Sequence, residues 1–463
     1  MTVKRDAPQL PVERQGRVGT NDPSTTFALG SLLASCLILL VAGCATHTDR
    51  VREARQAFFQ GDLEAAVTRL RTEIERDGDD RNALELDLAV AELFSGESAS
   101  AERRFRDVRD RLDYLEQKDV REGIASCLTD DTRLPYTGED YEKVMIRAML
   151  AATNLLNGGG DVRAYCLQVN EKQNEILQRQ NSATTAPIAL SRVAFGAYLD
   201  GIVREASHAN QDDVHQSFTK VASWQPNYPY LQADLMRARL GTHSAPGHGA
   251  LHVIAFVGQG PRKEEAVAVP TSQMLLMADQ MISAFSDHAV PPTIAPVKVP
   301  KLVPGYSGAH GVRVAVNGQA AGITATITDV SQIALDQFDA QFPHIVARSV
   351  ARRVVKKGTI YAAKDALAVS NDWSSLLLDA AGVAWEAAET ADTRCWSFLP
   401  DKIQVLRIEL PVGQHRVSLQ PQFGLHHSAI TESTSVNIRD GQNSYCIAYF
   451  PTQRIAGKIL VAE

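Results

Sequence analysis

The sequence predicts an α+β protein of more than one domain: an N-terminal α-solenoid, then a mixed domain that ends in a small β-sandwich. Three observations predict it. From about residue 50 to 240 the apolar residues recur at helical spacing and β-branched residues are sparse. Within that region one helix-pair pattern repeats at a constant offset. From residue 251 onward, short runs rich in Val, Ile, Thr and aromatic residues alternate with Gly, Pro and Asn-Gly punctuation.

The first element precedes both regions. Residues 27–43 read FALGSLLASCLILLVAG and carry no charge; Lys4, Arg5, Arg14 and Arg17 come before them, mixed with Asp6, Glu13 and Asp22. An apolar stretch behind a basic start and ahead of small residues predicts a bacterial export signal over 1–43. Val41-Ala42-Gly43-Cys44 resembles the lipobox of bacterial lipoproteins. That resemblance implies cleavage before Cys44, whose thiol then receives a diacylglycerol and whose amine a third acyl chain such as palmitate. Each buried CH₂ contributes about 0.8 kcal/mol, so several chains make a stable anchor. The competing reading is an uncleaved span, for which this stretch sits at the lower edge of length. Asp22 stands closer to the apolar run than any basic residue, which would fit a start downstream of Met1. In the lipoprotein family an aspartate after the cysteine retains the protein in the inner membrane. Ala45 stands there instead, which implies the periplasmic face of the outer membrane. Residues 44–50 are then a lipidated tether with a reach of about 20 Å at most.

The helical region, 51–240, shows its repeat in two segments. FFQGDLEAAVTRL runs from Phe58 to Leu70 and LFSGESASAERRF from Leu93 to Phe105. Phe58 aligns with Leu93, Gly61 with Gly96, Ala66 with Ala101 and Leu70 with Phe105, always 35 residues apart. This resembles tetratricopeptide helix pairs, whose period is about 34 residues. Gly61 and Gly96 suit helix ends, where a left-handed cap favours glycine. Ala66 and Ala101 are small where two helices must approach. LLNGGGDVRAYCLQV and YLDGIVREASHANQDDVHQSFTKVASWQPNYP read as worn copies, and the insert from Cys127 to Asp140 breaks the period. Such arrays leave a long surface that binds peptides or proteins.

Residues 241–250 form a polar linker by composition. His243, His248 and His252 in and beside it lack a carboxylate or cysteine partner and helical spacing, so a metal there is disfavoured. In the mixed domain, 251–463, Leu251–Val257 and Ala266–Val269 read as a β-hairpin across GQGP, and no Lys-Ser/Thr pair follows to make a phosphate loop. Pro291, Pro292, Pro296, Pro300 and Pro304 mark an extended connector or sheet edge. VRVAVNGQAAGITATITDV reads as strand, Asn-Gly turn, strand. SQIALDQFDAQFPHIVARSVARRVVKKG reads as two helices meeting at Pro343. The second places Arg348, Arg352, Arg353, Lys356 and Lys357 at its C-terminus, where cations complement the helix dipole. An anionic partner is the sharper alternative for that charge. A third helix follows over Trp373–Thr390, and strands at Ile403–Leu410, His415–Leu419, Thr434–Ile438 and Ser444–Tyr449 close the sandwich.

Composition bounds function. Cleavage before Cys44 leaves 420 of 463 residues, too many for one core. A net charge of -7 argues against a nucleic-acid partner. Cys127, Cys166, Cys395 and Cys446 remain after processing; in an oxidising periplasm they allow two disulfides, most simply Cys127–Cys166 and Cys395–Cys446, against four buried thiols. No pair has metal-site spacing, and no cofactor motif is present. There is no HExxH, GxSxG, Walker pattern or CxxC. Ser307 with His310, and GLHHSA at 424–429, are too weak to define a triad, which is set by geometry.

YEKVMIRAMLAATNLL, GQGPRKEEAVAVP, ADTRCWSFLP and LPVGQH, in that order, resemble an uncharacterised family of proteobacterial lipoproteins with a repeat-like helical half and a β-rich half. The most specific piece is Asp392, Arg394, Trp396, Leu399 and Pro400. The resemblance implies no reaction and no catalytic residue. By their own chemistry, Trp396 and Phe398 can plug a core, Asp392 can pair with Arg394, and Pro400 can open a strand. The expected function is a membrane-anchored, non-catalytic scaffold that holds envelope proteins on its helical-repeat surface. The alternative is an envelope enzyme or ligand-binding protein acting on glycan or peptide through the C-terminal domain.

Overall fold

The computed structural model describes residues 46–76, 78–122, 134–183, 192–283, 290, 294–305, 308–366, 390–423, 426–427 and 430–463. The export signal, Cys44, Cys127, Ser307 and all but the last residue of the helix expected over Trp373–Thr390 lie outside the described residues. The fold is α+β, with helices in the N-terminal half and strands in the C-terminal half.

Among the described residues nine helices come first: α1 (His47–Phe59), α2 (Leu63–Glu75), α3 (Arg81–Ser95), α4 (Ser98–Glu122), α5 (Asp140–Leu156), α6 (Val162–Ala183), α7 (Phe195–Glu205), α8 (Gln211–Trp224) and α9 (Leu231–Leu240). Each packs on the next. The expected tether to residue 50 is too long, because α1 already starts at His47. Thr46 and Asp49 cap each other's backbone amides in a reciprocal box, which fixes the helix start. Gly96 ends α3 at φ 93°, and Gly61 follows α1 at φ 87°; both conformations favour glycine. Ala66 and Ala101 are fully buried.

Among the described residues the strands form three sheets. The first has the order β12 (Leu460–Ala462), β11 (Asn443–Phe450), β1 (His248–Val257), β7 (Lys402–Pro411), β6 (Ala325–Asp329). The second runs β10 (Glu432–Ile438), β8 (Gly413–Phe423), β4 (Ala309–Val316), β5 (Gln319–Ile323), with β9 (His426–His427) also on β8. A ribbon of β2 (Arg262–Ala268) and β3 (Val297–Val303) stands apart with α10 (Ser272–Ser283) and α11 (Val330–Ala366) over a small core of its own.

The first sheet is buried on both faces. Leu251, Val253, Ala255 and Val257 of β1, with Cys446, Ala448 and Phe450 of β11, face the second sheet. Ile254 and Phe256, with Tyr445, Ile447 and Tyr449, face the helices. This is why ALHVIAFV is apolar at every position but His252: a strand covered on both sides has no solvent-facing polar side. Aromatic rings fasten helices to sheet. Phe58 of α1 stacks on Phe398 at 4.3 Å, and Phe94 of α3 lies 5.7 Å from Phe256 and 5.4 Å from Tyr449. Phe195 of α7 also meets Phe256. The inner side of the helical array is therefore filled by the chain's own sheet. The C-terminal tail follows the same seam: a Cβ on Gly457 would stand 2.1 Å from the Phe94 carbonyl oxygen, so only glycine fits there.

Four further sequence expectations need correction. β1 does not form a hairpin with β2; it lies parallel to β11 and antiparallel to β7, while β2 pairs with β3, because burial of both faces draws β1 to the sheet centre. Pro343 does not break the helix, since α11 is continuous from Val330 to Ala366. Proline costs one intrahelical bond there, and the basic residues Arg348, Arg352, Arg353 and Lys356 stand mid-helix rather than at its end. Arg353 donates to the carbonyls of Ala295 and Pro296. The stretch 241–250 is not a free linker. His243 is buried, and β1 begins at His248.

The fourth correction concerns the disulfides. Cys166, Cys395 and Cys446 are free and buried. Cys446 points between the two sheets, whereas Cys395 lies on the helical side beside Glu142 and Lys263, so the first sheet separates them. Burial raises both thiols, Cys395 to about 11 and Cys446 to about 12. The native protein is expected to leave these three thiols unmodified by a thiol reagent at pH 8, and the urea-unfolded, unreduced protein to label all three, each read separately by peptide mapping. Failure of Cys166, Cys395 or Cys446 to label in the unreduced unfolded chain would restore a disulfide. Among the described residues no helix is long and apolar enough to cross a membrane.

Candidate functional site

The segment Ala391–Asp401 crosses the seam between helices and first sheet, and the family-like motif lies within it. It carries no regular structure, so its amides need side-chain acceptors. Two buried helix carboxylates supply them. Asp87 of α3 accepts from the Phe398 amide at 2.8 Å, and Glu142 of α5 accepts from the Trp396 amide at 2.7 Å. Glu142 also takes the amide of Glu139 and the hydroxyls of Tyr136 and Tyr141. Burial raises both carboxyls above their usual range, and the Glu139 charge adds to it at Glu142.

Asp392 and Arg394 pair as expected. Arg394 closes a two-point fork on Asp392, at 2.9 and 2.7 Å, and donates to the carbonyls of Asp79 and Leu134 over the Tyr136 ring. Burial would raise the Asp392 carboxyl, but the Arg394 guanidinium holds it below its usual range. Trp396 and Phe398 are fully buried, Trp396 against Phe105. Leu399 is also buried, and its carbonyl accepts from the Tyr449 hydroxyl and the Gly260 amide. Pro400 is buried two residues before β7. The motif thus fastens the two halves of the chain together.

Two clefts open beside it, sharing Thr46 and Thr393. The larger, about 750 Å³, lies between α1 and β2 and is lined by Arg52, Arg55, Phe59, Gln259 and Arg262 among others. The smaller, about 300 Å³, reaches His47, Arg50, Asp80 and Arg394. His47 is buried with Nδ1 2.8 Å from Asp80, and burial together with Arg50 lowers its imidazole to about 3, so it stands neutral. Beneath the wall, Lys263 pairs with Glu139. Burial alone would pull the Lys263 ammonium down, but Glu139 and Asp392 hold it above its usual range.

A second polar cluster lies at the opposite seam. His243 and His252 both donate from Nε2 to Asn443 Oδ1, at 2.8 and 3.1 Å, and the Asn443 amide donates to the Ile202 carbonyl and Tyr445 hydroxyl. His248 stays out of this cluster. Glu205, Arg237 and Asp234 extend it, with Arg237 donating to Glu205 at 2.7 Å and to Asp234 at 2.7 Å. Among the described residues no group of three or more His, Cys, Asp or Glu is placed to hold a metal. His310 is exposed on β4, and His426 and His427 form β9.

Sequence reasoning singled out the motif but missed its acceptors. The one signal for Asp87 is its place in ALELDLAVAELF, a carboxylate within a run apolar on every side. Arg55, Lys263 and Thr393 carry no such signal. Compared with known proteins, the chain matches no family model, no curated protein and no solved structure.

Proposed function

We propose that this protein is a lipid-anchored component of the bacterial envelope, on the periplasmic face of the outer membrane, that works by binding partner proteins rather than by catalysis. In this reading the helices form a tetratricopeptide-like solenoid, the two larger sheets a β-sandwich, and Cys44 carries the acyl chains. The uncharacterised proteobacterial lipoprotein family resembled by the motif is its expected kin. The observation that carries the proposal is the start of α1 at His47, three residues after Cys44 in the sequence, a separation too short to hold the folded body far from an acylated Cys44. Such a body would be held against its membrane and would present a fixed outer face.

The burial of the inner helix side against the chain's own sheet moves the proposed docking surface outward. Tyr114 on α4 and Leu167 on α6 stand on that outer face, 67% and 47% exposed. The Arg109–Gln168 bond joins those two helices. Glu142 supports a binding rather than catalytic role, since both its oxygens are occupied by backbone amides and tyrosine hydroxyls.

The test is in-cell cross-linking and pull-down of the full-length protein beside Cys44→Ala. Reproducible partners that are lost in Cys44→Ala are the expected result. Absence of any partner in either form would overturn the scaffold reading. A second reading, a ligand-binding envelope protein, is favoured by the cleft between α1 and β2.

A further inference from the structure

We propose that the cleft between α1 and β2 binds a phosphate group, with Arg55 as its counter-charge and the Thr393 hydroxyl as a hydrogen-bonding partner. Arg55 lines the cleft, and its Nε and Nη2 atoms are buried without a hydrogen-bond partner. Among the described residues it makes no ion pair; its guanidinium lies over the Phe59 ring, 4.9 Å from the centroid. Arginine does not shed its proton in proteins, so the charge stays. A buried cation is costly unless a counter-charge meets it, and a single ring face is a weak substitute.

The other guanidiniums show what is missing. Arg104, Arg237 and Arg394 each present Nε and Nη2 to one carboxylate, on Glu92, Glu205 and Asp392. That fork matches the oxygen spacing of a carboxylate or phosphate. On Arg55 it is empty. The acids lining the same cleft are already engaged. Asp49 pairs with Arg52 and caps α1, Glu264 pairs with Arg262 at 2.7 Å, and Glu265 holds Lys298 at 3.2 Å and the Ala391 amide. Asp87, buried behind the wall, is near enough for its charge to act on Arg55 but forms no ion pair with it among the described residues, and it accepts the Phe398 amide.

Thr393 is the independent observation. It lines the same cleft, is 3% exposed, and its hydroxyl has no partner. An orphaned hydroxyl and an orphaned guanidinium on one cavity call for a single polar occupant with several acceptor oxygens. Phosphate is preferred over carboxylate because it offers an oxygen for the Thr393 hydroxyl beyond the two that the Arg55 fork takes. The rim residue Thr46 stands two residues from Cys44. A lipid headgroup would be at hand if Cys44 is acylated, and a free phosphate ester is the other source. The lipid source rests on the anchor reading; the phosphate site does not.

The test uses the purified full-length protein in detergent, titrated by calorimetry with inorganic phosphate, with sn-glycerol 3-phosphate, and with phosphatidylglycerol doped into the micelles. Saturable binding in at least one arm is expected. Saturation by either soluble probe identifies a free phosphate ligand; saturation by the doped micelles alone identifies a headgroup. Arg55→Gln is expected to weaken binding by at least about tenfold, the loss of a charge-assisted fork, and Thr393→Val by about threefold. Without ligand, Arg55→Gln is also expected to melt above wild type, because it removes an uncompensated charge. No saturation in any arm would overturn the proposal, as would undiminished binding by Arg55→Gln or a lower melting temperature for it without ligand. Intact mass of the isolated protein reports acylation at Cys44 separately, so the anchor and the site fail independently.

Discussion

Glu142→Ala is expected to lower unfolding free energy by about 3–5 kcal/mol, a loss as large as truncating a buried aromatic ring at the helix–sheet seam. The carboxylate accepts from the Trp396 amide, the Glu139 amide and two tyrosine hydroxyls, all away from water. Truncation leaves buried donors unpaired at the point where Trp396 and Phe398 enter the core. Glu142→Gln keeps one acceptor oxygen and is expected to lose only about 1–2 kcal/mol. Asp87→Asn is expected to be close to neutral. Asp87 uses a single oxygen, toward Phe398, while its other oxygen is buried without a partner, and burial already favours the uncharged acid. Urea denaturation followed by tryptophan fluorescence checks the order, Trp396 being a reporter at the seam itself. Equal losses for Glu142→Ala and Glu142→Gln would mean that packing volume, not the hydrogen-bond set, holds the segment.

The sequence carried what is local and little of what is distant. Gly61 and Gly96 are legible because a left-handed helix end narrows the choice to glycine, and Ala66 and Ala101 because two helices need small residues between them. Strands β7, β8, β10 and β11 are legible from β-branched runs bounded by turns at Pro411–Gly413 and Asp440-Gly441. The pairing of Ala250–Val257 with Asn443–Phe450 is not, because periodicity says how a strand is covered and not by what. For the same reason the array looked like an open surface. Nothing in the helix pattern announces that Phe58, Phe94 and Phe195 meet Phe398, Phe256 and Tyr449. The motif Asp392–Pro400 stood out by its composition, and its partners Asp87 and Glu142 did not, since a carboxylate on a helix is usually solvated. Arg55 and Thr393 become conspicuous only when their hydrogen-bond partners are sought in three dimensions.

His252→Phe is expected to change the pH dependence of stability in a direction opposite to Asp234→Asn, although the two residues belong to one buried cluster. His252 is fully buried, and burial, with Arg407 and Arg237 nearby, holds its imidazole well below the usual range. In the unfolded chain it protonates near pH 6.5. Its folded-state pKa is depressed, so below pH 6.5 only the unfolded state takes the proton, and stability falls as pH falls. The loss approaches about 1.4 kcal/mol per pH unit. His252→Phe removes that loss, and Asn443 Oδ1 keeps its bond to His243. Asp234 is the reverse case. Burial, against the pull of Arg237, raises its carboxyl to about 6. The folded state then takes the proton first, and stability contributed below pH 4 is lost as pH rises toward 6. Asp234→Asn removes this second slope while sparing a hydrogen-bond acceptor for Arg237. The wild-type profile is a sum of such opposed slopes, so its shape alone identifies neither group. The differences do: urea midpoints at pH 7.5 and 5.5 should show wild type losing about 1 kcal/mol more than His252→Phe on acidification. Between pH 6 and 4, wild type should gain relative to Asp234→Asn. Parallel profiles for wild type and His252→Phe would mean that the imidazole is protonated in the folded protein despite its burial beside Arg407 and Arg237.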